Sequence, residues 1–156
     1  MNSIPIKKSK YILNIYFEYC PVFGNILKDL EDKISNRQLQ PSQIESYFES
    51  ECTKIFEDVI FPFKNIGNDY KLFGNSICLS VNDVVAHGNY KDVKEFKDGD
   101  LITIDCGFAL PIKSKIEPRF LYFDAAFTTI YNKKKFKKSE EYKLLKINHD
   151  TLNKLN

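Results

Sequence analysis

Arginine is nearly missing from this chain. Arg37 and Arg119 are the only two among 23 basic residues, the rest being lysine. Arginine is the side chain that grips phosphates bidentately, so its scarcity argues against specific nucleic-acid partners. Long apolar runs are missing too. None approaches the ~20 residues that cross a bilayer, and the start, MNSIPIKKSKYILN, carries no signal-peptide cleavage pattern. The expectation is a cytoplasmic chain with no membrane partner. Cysteines are few and scattered: Cys20, Cys52, Cys78 and Cys106 have no short spacing, which excludes a disulfide framework and a zinc knuckle. They read as reduced residues, mostly in the core. No repeat, low-complexity linker, phosphate loop, nucleophile elbow or helical zinc pair occurs.

What is present suits one domain spanning 1–156. The chain holds 13 Phe and 9 Tyr at a formal net charge of +2, and such aromatic, balanced composition excludes disorder. The basic run Lys133, Lys134, Lys135, Lys137, Lys138 is followed at once by Ser139, Glu140 and Glu141. That pattern reads as a solvated turn.

Apolar residues Leu13, Tyr16, Cys20, Phe23, Leu27, Leu30 and Ile34 recur at helical spacing, predicting one amphipathic helix. Pro21 lies within the stripe and predicts a kink or break near Tyr19 to Pro21. A second helix is expected from a Ser42–Glu45 capping box through Ile44, Phe48, Cys52, Ile55 and Val59, ending near Phe61 and Pro62. Three strand-like segments follow: Ile77 to Val85, Leu101 to Gly107, and Phe120 to Tyr131. FKDGD (Phe96 to Asp100) is a turn before the second, and a last helix runs from Ser139 with apolar positions Tyr142, Leu145, Leu152 and Leu155. This order predicts an α+β domain, an antiparallel sheet with helices on one face.

Two carboxylates stand out. Asp105 is flanked by Ile104 and Cys106 in one apolar strand, and Asp124 by Phe123 and Ala125 in another. A carboxylate expected to be buried requires compensation, by a cap, a loop hydrogen bond or a metal ion. Pairing of the two segments would bring both side chains to one face. His87 ends the first strand segment beside Gly88, and on its own is weak evidence for catalysis. His149 lies in a polar stretch of the last helix and reads as solvent-facing.

SVNDVVAHG (Ser80 to Gly88), DGDLITIDCG (Asp98 to Gly107) and FDAAFTT (Phe123 to Thr129) together resemble the N-terminal half of a methionine aminopeptidase of type I. The resemblance implies half of a pita-bread fold, two similar halves holding two divalent metals (Co, Mn, Fe or Zn) through two Asp, one His and two Glu. It implies Asp105 and Asp124 as metal ligands and His87 as the catalytic histidine that hydrogen-bonds substrate near the scissile peptide. It also implies Tyr70, Phe73 and Cys78 as the lining of a methionine pocket, positions that core packing would explain equally well without the motifs. The partner would be the N-terminus of a peptide or nascent protein. Oxygen-rich sites with a histidine suit such metals, and a bridging pair lowers the pKa of a shared water.

Three departures from the resembled pattern carry expectations. The stretch from Phe108 to Arg119 is long, making Glu117 a rival ligand. Pro21 interrupts a helix that is continuous in the family. The remaining histidine and two glutamates are expected beyond Asn156, in a second half encoded separately or lost. Two readings follow: a partial methionine aminopeptidase, or a catalytically inactive relative that binds a peptide or protein.

Overall fold

The computed structural model describes residues 9–65, 74–112 and 120–154. Helix α1, Lys10–Ser35, is capped by the Ser9 side chain, which accepts from the Ile12 amide. Of the kink or break predicted near Pro21, the break does not occur, and the helix continues through the proline. Pro21 and Phe17 sit on the solvent side, where water can serve the carbonyl left without a donor. The buried row also differs from the predicted one. Ile12, Phe23, Ile26, Leu30 and Ile34 are buried, whereas Leu13 and Cys20 are exposed. The first half of the helix has apolar residues on two adjacent rows, and contact with the sheet selects between them. Tyr16 and Tyr19 meet Phe123 at ring-centroid distances of 5.2 and 6.4 Å, which turns Leu13 outward.

Helix α2, Pro41–Ile55, starts and ends earlier than predicted. Its capping box is Gln40 with Gln43, not Ser42 with Glu45. Pro41 occupies the first helical position, where its fixed φ suits the helix and its missing N–H costs nothing. Glu45 instead turns inward and accepts from the Ser76 amide at 2.6 Å. The chain leaves the helix at Phe56, and a short helix α3, Pro62–Asn65, follows.

Strands β1 (Ile77–Val81), β2 (Leu101–Pro111) and β3 (Phe120–Ile130) form one antiparallel sheet in the order β1-β2-β3. β1 is shorter than the predicted Ile77 to Val85, because Asn82 enters the left-handed region (φ 56°) and bends the chain away. β2 runs past Gly107, since Phe108 and Leu110 continue the alternation and face Phe123 and Leu121. Gly99 sits in the FKDGD turn at φ 94°, a conformation that favours glycine. Helix α4, Glu140–Lys154, closes the described chain; the side chains of His149 and Leu152, and all of Leu155, lie outside the described residues. No described helix is long and apolar enough to cross a membrane.

The core lies between α1, α2 and one face of the sheet. Phe108 is at its centre, stacked between Phe56 at 4.7 Å and Phe123 at 4.8 Å, with Phe23 edge-on at 5.0 Å. Cys52 and Cys106 are buried in it, Cys78 is half-buried and Cys20 is exposed.

Candidate functional site

Side chains alternate along a strand, so the residues that do not face the helices form the opposite face of the sheet. Cys78, Ser80, Thr103, Asp105, Gly107, Asp124, Ala126 and Thr128 lie on this second face, which also carries the buried Ala109 and Ile130. Asp105 lies opposite Ala126 in the register, and Asp124 lies opposite Gly107. The two carboxylates are therefore diagonal neighbours on one face, as the strand pattern required. Cys78 faces Asp105 from the other side. Asp105 is only half-buried and Asp124 is exposed, less enclosed than their apolar flanks suggested.

Gly107 makes room for this arrangement. A Cβ there would stand 2.7 Å from the Phe123 carbonyl oxygen and 3.3 Å from Oδ1 of Asp124. The same position lies 3.3 Å from the Phe63 ring, which α3 brings to this side of the sheet. The Ile60 amide donates to the Ala109 carbonyl (2.9 Å) and the Ala109 amide donates in return (2.8 Å), placing the segment that leads into α3 beside β2. Phe63 and the Thr103–Thr128 hydroxyl pair, 2.9 Å apart, are wall residues that sequence reasoning missed. Only the parity of Thr103 and Thr128 with the aspartates could have pointed to them.

Charge is crowded here. The Asp105 carboxyl is held above its ordinary value first by burial and then by the neighbouring Asp124, with His87 acting in the opposite direction. The Cys78 thiol is raised by burial, by Asp105 and by Asp124. His87 does not end β1 as predicted. It lies in the exposed loop that follows, in a left-handed conformation (φ 55°), close enough to act on Asp105. A half-buried and an exposed carboxylate of like charge, with space left by a glycine, suit a divalent cation as oxygen donors. Among the described residues no group of three or more His, Cys, Asp and Glu side chains converges as a metal cluster. Tyr70, Phe73 and Glu117 lie outside the described residues.

Residues 23–144 match the pattern of metallopeptidase family M24. A methionine aminopeptidase of Salmonella typhimurium strain LT2 is 47% identical over 36 residues, which is 23% of this chain and 14% of that protein. One from Clostridium perfringens strain 13 is 50% identical over 38 residues, 24% of this chain and 15% of the relative. In three dimensions the chain superposes on the crystal structure of methionine aminopeptidase from Thermotoga maritima with a TM-score of 0.59 at 24% identity, covering 83% of this chain and 45% of that one. This likeness shows the expected α+β half of a pita-bread fold, and the chain spans under half the length of that relative.

Proposed function

We propose, from the premise that the chain belongs to metallopeptidase family M24, that it supplies the aspartate side of a methionine aminopeptidase site. The observation that carries this is the placement of Asp105 and Asp124 as diagonal neighbours on the open face of the sheet, with His87 beside them. Asp105 and Asp124 would hold divalent metal; when bound, such an ion supplies Lewis acidity and an activated water at neutral pH. His87 would hydrogen-bond the substrate near the scissile peptide, and Cys78, with Tyr70 and Phe73, would line the pocket for the methionine side chain. The substrate is the N-terminus of a peptide or nascent protein, met in the cytoplasm.

Hydrolysis also needs a group that manages the proton of the attacking water and donors for the oxyanion. In the resembled site a histidine and two glutamates complete the ligand set, and no described cluster provides them. A second reading is an inactive relative that binds a peptide or protein. The decisive experiment is release of methionine from a Met-Ala-Ser peptide. The chain alone is expected to release none, and to do so once mixed with a separately expressed second half carrying the missing ligands. Chelator-sensitive turnover by the chain alone would overturn the incomplete-site view. An inactive mixture with an authentic second half would favour the binding reading.

A further inference from the structure

The loop that carries His87 leaves β1 and returns to it, and both ends are fastened. At the exit, the Asn82 amide donates to the Leu101 carbonyl at 2.9 Å. The Asn82 side chain accepts from the Leu101 amide at 3.0 Å and donates to Asp100 at 2.9 Å. At the return, the Leu79 amide donates to the Gly88 carbonyl at 2.9 Å, and the Gly88 amide donates to Oγ of Ser80 at 3.2 Å. Between these points residues 83–87 are exposed, Val85 to 94%. Within the loop the Val84 amide donates to the Val81 carbonyl at 3.2 Å, and the two ends tie it to the sheet.

The return is unusually close. A Cβ on Gly88 would stand 2.1 Å from the Leu79 carbonyl oxygen, so a glycine is needed for the chain to lie this tightly along the outer edge of β1. A regular ladder would offer the Gly88 amide a backbone carbonyl, but here the hydroxyl of Ser80, itself 4% exposed, takes that place. Ser80 shares its face of the sheet with Cys78 and Asp105.

We propose that Ser80 is a positioning residue. Its hydroxyl, acting through the Gly88 amide, sets the backbone next to His87 and so holds the imidazole toward the Asp105 side of the open face. The assignment rests on the peptidase reading for its purpose and on the loop geometry for its existence.

The chain has two histidines, so an isotope-labelled sample read by NMR at one fixed pH gives a ring signal for His87 and an internal reference from His149. Ser80→Ala is expected to move the His87 ring resonances toward their random-coil position. It should also speed exchange of the Gly88 amide by about tenfold, as loss of one hydrogen bond to a partly buried donor implies. The His149 ring and the amides of Ile102 and Ile104 should not change, and Ser80→Thr should restore both His87 and Gly88. Unchanged His87 and Gly88 signals in Ser80→Ala would overturn the proposal, as would an equal loss of protection across β2. If Ser80→Ala does not fold, Gly88→Ala applies the same test from the rim by forcing the return segment off β1. It should displace the His87 signals while β2 stays protected, and undisturbed His87 signals would overturn the proposal. These readouts need neither metal nor peptide hydrolysis, so they stand or fall separately from the methionine-release experiment.

Discussion

The two faces of the sheet are built from the same strands to opposite specifications. The helix-covered face is sealed: Leu79, Ile102, Ile104, Cys106, Phe108 and Phe123 are all at most 4% exposed. The open face places Cys78, Asp105, Asp124 and two threonine hydroxyls a single residue away from these. The first face is held by apolar burial and ring contacts, so its stability is cooperative and its shape rigid. The second holds a half-buried and an exposed carboxylate of like charge, a pair that the first makes affordable. A small domain can carry an electrostatically unfavourable pair only where the adjacent face binds the strands together regardless.

The largest expected effect breaks the sealed face. Phe108→Ala removes the ring at the centre of the aromatic stack and should cost about 3–5 kcal/mol, read as a lowered urea midpoint by circular dichroism. Thr103→Ala, one residue pair away from Asp105 on the open face, should cost no more than about 1 kcal/mol. Comparable losses from the two would show that the faces do not divide the work as described.

A smaller effect concerns charge. Burial, and then Asp124, raise the Asp105 pKa above its ordinary 3.8. The folded chain therefore binds that proton more tightly than the unfolded chain, and stability falls as pH rises from the ordinary carboxyl value through the raised one. Asp105→Asn should lack this fall and be more stable than the parent at pH 7, by under about 1 kcal/mol because the site is partly solvated. Thermal melts from pH 3 to 7 would check it; parallel stability profiles for the two proteins would contradict the assigned repulsion. Added Mn²⁺ should raise the melting temperature of the parent and leave that of Asp105→Asn nearly unchanged.

The finest distinction is between thiols. Burial, with lesser effects from Glu51 and Glu49, pushes Cys52 up to about 12, and burial raises Cys106 as well. The thiolate is the reactive form, so both should resist alkylation until the chain unfolds. Exposed Cys20 should react first at pH 8 and half-buried Cys78 more slowly, as followed by mass spectrometry. Early labelling of Cys106 would show that the helix-covered face is not sealed.

Much of this architecture was legible in the sequence, because the strand period is a property of the backbone itself. Alternation alone separated Asp105 from Ile104 and Cys106, and Asp124 from Phe123 and Ala125. The turn at Gly99 and the start of each strand could be read from residues that tolerate or demand particular dihedrals. Other features depended on partners distant in the chain. Tyr16 and Tyr19 against Phe123 chose which row of α1 is buried; Ser76 drew Glu45 inward, away from the capping role its spacing suggested; α3 brought Phe63 to the open face. The tight return at Gly88, with the Ser80 hydroxyl in place of a ladder carbonyl, likewise has no local signature. By itself the sequence determined which residues share a face within each element, since that follows from sterics between near neighbours. Only the tertiary structure decided which face meets which, and hence where His87 stands relative to the two aspartates, because register and docking are set by long-range contacts among alternatives that local spacing leaves equal.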